Sequence, residues 1–164
     1  MSKEDGFGDM SLDLKYVFAE VSGVNLAIRP GVVLPSGKSS LTEDHVQYTA
    51  ALITTREFND GAYALHANIG YEFHTYKDSN EGLRRNLWSA SIAGEAETVK
   101  GLFAVADFGV AGHKEKGNSR HPAYALTGLR YEIHDNLDCS TGVKFGLNKT
   151  EDDLSVVYGL TLKF

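Results

Sequence analysis

Apolar and polar side chains alternate along most of this chain, and the last eleven residues show the pattern most clearly. From Leu154 to Phe164 nearly every second side chain is large and apolar, and the final residue is aromatic. A soluble protein that ended in this way would leave an apolar stripe at a strand edge. A membrane β-barrel strand, with one face in lipid and the other in water, requires this alternation.

The same alternation recurs upstream and predicts nine β-strands. Each segment has about ten to fourteen residues, the length that a tilted strand needs to cross the hydrocarbon layer, whereas strands of globular proteins are usually near five or six. The predicted strands are 10–19, 24–34, 46–58, 61–74, 87–98, 102–112, 123–133, 137–148 and 154–164. The predicted fold class is therefore all-β, an antiparallel up-and-down transmembrane β-barrel.

The connections between these segments alternate in length. Tight turns of Gly, Asn and Asp type lie at 22–23, 59–60, 99–101 and 135–136, as hairpins require. Longer polar loops lie between them, at 35–45, 75–86, 113–122 and 149–153. Short turns at one rim and long loops at the other are typical of outer-membrane barrels, in which the short turns are periplasmic.

Residues at alternate positions of a strand point to opposite faces of the sheet, and we call each of these two sets a parity. The charged residues fall almost entirely on one parity. Thirteen residues are predicted to line the lumen: Asp13, Lys15, Arg29, His66, Asn68, Glu72, His74, Glu95, Glu97, Asp107, Arg130, Glu132 and Lys144. Arg56 is the one charged residue clearly on the apolar parity, and it lies beside a short turn where its long stem can reach the interface. A charge facing lipid at mid-depth costs about 2–4 kcal/mol, so the apolar parity is predicted to face lipid.

A soluble barrel of lipocalin type, with the apolar parity inside, explains the alternation equally well. Aromatic placement favours the membrane, because a bilayer selects aromatic belts at both interfaces. The belt near the long loops is predicted to contain Tyr48, Tyr71, Phe73, Trp88 and Phe108, and the belt near the short turns Tyr16, Phe18, Tyr63, Tyr131 and Phe164.

Length and charge narrow the remaining classes. The 164 residues predict a single barrel domain, 1–164, in which residues 1–7 are a disordered or charged leader that lacks the apolar core of a secretory signal. A net charge of −6 argues against a nucleic-acid surface. No stretch approaches eighteen uninterrupted apolar residues, which excludes helical spans. The single Cys139 cannot form an intrachain disulfide.

Candidate chemistry on the polar parity is weak, and neither an enzyme, a metal site nor a cofactor is expected. His66 and His74 share a face but lie about 26 Å apart along a strand, too far for one metal ion. Glu95 and Glu97 are expected to pair with Arg130, Lys144 or other inward bases, and Asp13 with Lys15 and Arg29. No His and nucleophilic Ser share the outward parity of neighbouring strands. Pro30 removes a ladder donor and predicts a bulge or kink.

Several stretches resemble the outer-membrane "MetA-pathway of phenol degradation" family. They are GDMSLDLKY at 8–16, RPGVVLPSG at 29–37, LHANIGY at 65–71, RNLW at 85–88, HPAYAL at 121–126 and GVKFGLN at 142–148. The resemblance spans nearly the whole chain and carries no catalytic signature. It implies an envelope barrel of the bacterial outer membrane that passes small solutes, with hydrophobic or aromatic compounds as candidates.

Nine alternating strands cannot close with antiparallel neighbours throughout, because the first and the last run in the same direction. Since lipid tolerates no open edge, we expect the chain to form part of a barrel of about twelve strands, with N-terminal strands missing. The expected partners are the lipid bilayer, the barrel-assembly machinery through the Phe164 strand, and a small-molecule solute. A structural or adhesive barrel acting through its loops remains the alternative within the membrane.

Overall fold

Ten β-strands form the regular structure of the described residues. The computed structural model describes residues 8–37, 45–76, 82–151 and 153–164. The strands are β1 (Met10–Asp13), β2 (Tyr16–Val21), β3 (Val24–Leu34), β4 (Gln47–Phe58), β5 (Tyr63–His74), β6 (Asn86–Val99), β7 (Leu102–Ala111), β8 (Ala123–His134), β9 (Leu137–Gly146) and β10 (Leu154–Leu162). Within these residues there is no helix long and apolar enough to cross a membrane.

All ten strands belong to one antiparallel sheet that curls into a half-barrel. From β3 to β10 each strand pairs with its neighbours in sequence, and both β1 and β2 pair with β3. The sheet confirms the predicted all-β antiparallel up-and-down fold. Eight of the nine predicted strands correspond to one observed strand each, and the first is divided into β1 and β2.

Pro30 explains this division. Strand β3 runs through Pro30 against β4 without a register shift, so the predicted bulge is absent from this pairing. The effect falls on the other side of β3. The Leu14 N–H donates to the Pro30 carbonyl at 3.0 Å, but Pro30 has no N–H to return the bond. The ladder is interrupted at Leu14 and Lys15, between β1 and β2.

Tight turns connect the strands at one rim, and long loops connect them at the other. Ser22 and Gly23 both adopt a positive φ, 53° and 75°, the backbone that a two-residue turn needs to match the twist of its strands. The predicted sorting of turns and loops is therefore present in the sheet. Register shifts in β2, β6 and β8 lie within a few residues of such turns, where bulges increase the local twist.

The two faces of the sheet differ sharply in chemistry. Large apolar side chains such as Leu65, Ile69 and Ile92 lie on the convex face and are 54–66% exposed. Charged side chains lie on the concave face, where residues from β6 and β8 contact each other across β7. The buried apolar residues Ala27, Ile53, Leu87 and Phe103 share this concave parity. Among the described residues no second layer covers the convex side.

Candidate functional site

The concave face carries the candidate site. The register places all thirteen predicted lumen residues on this face, in β1, β3, β5, β6, β7, β8 and β9, with Lys15 in the gap between β1 and β2. Alternation alone puts these side chains on one surface, because successive residues of a strand point to opposite faces. What the sequence does not specify is which of them meet.

Arg130 joins three carboxylates on this face. Its guanidinium lies 2.8 Å from Glu95 Oε2 on β6, 2.9 Å from Glu132 Oε1 on its own strand and 3.1 Å from Asp138 Oδ2 on β9. The contact with Glu95 crosses β7, so the curvature of the sheet is needed to make it. Asp138 is 4% exposed, and a carboxylate so buried requires a cationic partner. The predicted pairing of Glu95 with Arg130 is present.

Neighbouring residues extend this group along the rim with the short turns. Lys163 Nζ lies 2.9 Å from Asp138 Oδ1 and 3.4 Å from Glu132 Oε1. On the other side, His66 Nε2 lies 3.5 Å from Glu95 Oε1, and His66 Nδ1 contacts Thr55 Oγ1 at 2.9 Å. We call His66, Glu95, Arg130, Glu132, Asp138 and Lys163 the ionic belt. With Thr55, it reaches from β4 to the residue after β10.

Two aromatic rings lie on the concave face that were not expected there. The Arg130 guanidinium stacks over Phe103, 4.0 Å from the ring centroid. Tyr124 donates its hydroxyl to Asp107 Oδ2 at 3.0 Å, and its ring lies against the bare backbone of Gly109, where an added Cβ would come within 2.3 Å of it. Their parity matches that of Arg130 and Asp107, so the alternation contained this signal.

Other predicted pairs are different in the structure. Lys144 contacts Glu151 at 2.7 Å, not Glu95 or Glu97. Glu97 instead accepts a hydrogen bond from the Gly101 N–H at 2.8 Å, which stabilises the tight turn after β6. Asp13, Lys15 and Arg29 form no ion pair within the described residues, so the ladder predicted between them is wrong. The register places Lys15 opposite Arg29, where like charges repel.

Histidine clustering occurs near the long loops. His74 is 1% exposed, its Nδ1 lies 3.2 Å from His45 Nε2, and its ring stacks on Tyr76. Glu72 Oε2 lies 3.4 Å from His74 Nε2. His66 and His74 are in separate clusters, as their spacing requires. Among the described residues, no three His, Cys, Asp or Glu side chains form a group that could hold a metal ion.

The family model described as "Putative MetA-pathway of phenol degradation" matches residues 1–164, the whole chain. The chain belongs to this family. The resemblance identified from its sequence motifs is thereby confirmed. A comparison with curated proteins gave no significant match. Membership of the MetA-pathway family and the half-barrel sheet are together consistent with an outer-membrane β-barrel.

In this member of the MetA-pathway family, aromatic side chains lie on the convex face at both rims. Tyr48 pairs with Phe73 across β4 and β5, and Tyr71 with Trp88 across β5 and β6, forming a continuous strip below the long loops. All ten predicted belt residues are at least 36% exposed. Tyr16 and Phe108 deviate from their predicted positions, because they lie opposite Ile28 and Ile92, near the middle of the sheet. Phe58, opposite Tyr63, was missed.

Beyond the ionic belt, the concave face has a depression in which few charged side chains form ion pairs. Its volume is about 230 Å³, and its lining includes Asp13, Arg29, Thr49, Gly70, Glu72 and Ser89. Small residues form its floor, and Asn68 donates to Ser91 Oγ at 3.0 Å beside it. These groups can hydrogen-bond a small polar solute and keep it hydrated. The concave face of this family member is thus an ion-paired belt at one rim and an open polar surface above it.

Proposed function

We propose that this chain forms the wall of an outer-membrane β-barrel that passes small solutes without transforming them. The observation that carries the proposal is the division of the sheet into an apolar convex face, bordered by aromatic rings at both rims, and an ion-paired concave face. Each charge turned to lipid at mid-depth would cost about 2–4 kcal/mol. The arrangement therefore fits lipid on the convex side and water on the concave side.

Closure of such a barrel requires strands beyond those described. The outer edges of β1–β2 and of β10 pair with no described strand, and these two edges run in the same direction. Because β1 and β2 share one position beside β3, the sheet has nine strand positions. An odd number of additional strands allows antiparallel closure, and three would make about twelve. We infer that the exposed Phe164 strand is the segment that the barrel-assembly machinery recognises, and that the tight turns face the periplasm.

The solute class follows from the charges on the concave face. Acidic residues outnumber basic ones there. The acids include Glu20, Glu57, Asp107 and the three of the ionic belt, whereas the cations are Lys15, Arg29, Arg130, Lys144 and Lys163. An acidic lining favours cations and neutral molecules over anions. The family description adds small aromatic compounds as candidates.

Liposome swelling tests this proposal directly. The full chain is reconstituted, and swelling rates are compared for arabinose, benzylammonium and benzoate, with recovery of each solute in unchanged form. We expect the swelling rate to be higher for benzylammonium than for benzoate. In a planar bilayer under a salt gradient, we expect a reversal potential with the sign of a cation-selective channel. Protein that inserts as a closed barrel but gives no swelling above protein-free liposomes would indicate a structural or adhesive barrel instead.

A further inference from the structure

The single tryptophan of the chain borders a cleft at the rim with the long loops. This cleft has a volume of about 300 Å³ and is lined by Arg84, Asn86, Trp88, His113, Asn118 and His121. Trp88 lies on the convex face and is 46% exposed. Its ring is 5.4 Å from the His121 ring, and within the described part of the chain its indole N–H has no acceptor.

The walls of the cleft are held in place by backbone hydrogen bonds. The Arg84 N–H donates to the Lys114 carbonyl at 2.7 Å, and the Lys116 N–H donates to the Gly82 carbonyl at 2.8 Å. Gly112 forms the floor, where an added Cβ would lie 3.2 Å from the indole nitrogen. The cleft is therefore formed before any ligand binds, which lowers the entropic cost of binding.

Positive charge is concentrated around this cleft, although the whole chain carries −6. The loop between β7 and β8 contains Lys114, Lys116 and Arg120 against the single acid Glu115, whose carboxylate contacts Asn118 Nδ2 at 3.4 Å. The Arg84 side chain makes one long hydrogen bond, 3.5 Å from Nε to the Glu115 carbonyl. Its guanidinium forms no ion pair in the described ranges and can therefore form a bidentate pair with an anion.

The cleft is continuous with the aromatic strip that is expected at the lipid–water interface. Asn86 accepts a short hydrogen bond from the hydroxyl of Tyr71, and Tyr71 is the cross-strand partner of Trp88. A ligand in the cleft would thus have donors from Arg84, Trp88 and the imidazole of His121, and the apolar convex face below it. These are the two environments of a lipid headgroup and its acyl chains.

We propose that this cleft binds the anionic phosphate of a lipid headgroup, with the acyl chains lying along the convex face below Trp88. The inference rests on the proposed membrane function, since the convex face must be in lipid. Arg84 supplies the charge-assisted hydrogen bonds, and the indole of Trp88 packs at the junction between headgroup and chains.

Because the chain has one tryptophan, its fluorescence reports on this cleft alone. The full chain in a phosphate-free maltoside detergent is titrated with phosphatidic acid, with diacylglycerol of the same chains, and with inorganic phosphate. We expect a saturable change in Trp88 emission with phosphatidic acid only. A response of equal size to diacylglycerol, or to inorganic phosphate alone, overturns the proposal.

Arg84→Gln is expected to weaken phosphatidic acid binding about tenfold, the value of one lost charged hydrogen-bond pair, and Arg84→Lys to recover part of it. Lys149→Gln is the matched control, because it removes one cation from a different loop of the same rim. Equal affinity in the Arg84→Gln and Lys149→Gln variants would show that the cleft does not bind the phosphate.

Membrane insertion is measured separately, in phosphatidylcholine vesicles with bromine on the acyl chains. Quenching of Trp88 by bromine supports the membrane function whatever the phosphatidic acid result. Absence of quenching contradicts the proposed membrane function, even if the titration shows selective binding of phosphatidic acid. Quenching without phosphatidic acid selectivity overturns only the headgroup site.

Discussion

Arg130 holds together the largest group of charges on the concave face. Replacing it by methionine keeps much of the side-chain volume but leaves Glu95 and the buried Asp138 without their guanidinium. We expect Arg130→Met to lower the free energy of unfolding by about 2 kcal/mol, the cost of leaving a buried acceptor unsatisfied. Urea unfolding in detergent micelles measures this change.

Arg29→Met is the matched control for this experiment. Arg29 lies on the same concave face but is exposed and forms no ion pair in the described ranges, so its replacement should change stability by less than about 0.5 kcal/mol. Equal losses in the two variants would mean that the ion pairs of Arg130 do not stabilise the sheet.

Gly109 makes room for the ring of Tyr124. In Gly109→Ala the new methyl group would lie within 2.3 Å of this ring, so Tyr124 must leave Asp107 and move toward the enclosed space. We expect a destabilisation of about 1–3 kcal/mol together with lower single-channel conductance. Gly94→Ala, where the nearest side-chain atom is at 3.6 Å, should leave both quantities nearly unchanged. A normal conductance in Gly109→Ala would show that Tyr124 does not narrow the passage.

Sequence parity could assign these residues to a face but not to their partners. Glu95 and Arg130 belong to strands that are not adjacent, so their contact depends on how strongly the sheet curls over β7. Parity also places Lys15 beside Asp13 and Arg29, yet no ion pair forms among these described residues, and the register puts Lys15 opposite the like-charged Arg29. Glu97 shows a third limit, since a nearby backbone N–H at Gly101 satisfies it locally.

Pro30 controls how the first strands pair. Pro30→Ala restores the N–H that the sheet lacks and lets it donate to the Leu14 carbonyl. We expect β1 and β2 to merge into one strand, with slower amide exchange around Leu14 and a gain of about 1 kcal/mol, the net value of one hydrogen bond. Hydrogen exchange with mass spectrometry and urea unfolding test this prediction.

Pro35→Ala is the control, because Pro35 follows the end of β3 and occupies no ladder position. It should leave exchange in β1 and β2 unchanged. If Pro30→Ala behaves in the same way, the gap between the strands has a cause other than the missing donor.

Strand boundaries and turn positions were predictable because both follow from local chemistry: alternation marks the strands, and Gly, Asn and Asp mark the turns. The interruption at Leu14 and Lys15 was not, because its cause lies in another strand. Pro30 removes a donor, as its residue type predicts, but β3 retains its regular pairing with β4. The missing hydrogen bond lies between β3 and the β1–β2 edge, and only the strand register shows this.

The sorting of turns and loops to opposite rims gives the molecule two distinguishable ends. In a Cys139→Ser background, which removes the one native thiol, Lys149→Cys places a thiol in an exposed long loop and Asp135→Cys places one in an exposed tight turn. Because the short turns of outer-membrane barrels face the periplasm, a membrane-impermeant maleimide should label Lys149→Cys in intact cells.

Asp135→Cys should react with the same reagent only after the outer membrane has been permeabilised. Labelling of both variants in permeabilised cells is the control for thiol reactivity. Labelling of Asp135→Cys alone in intact cells would reverse the proposed orientation. If neither variant is labelled in intact cells and both are found in a soluble fraction, the protein is not inserted in the outer membrane. The apolar convex face would then need a protein partner in place of lipid, since it cannot remain in water.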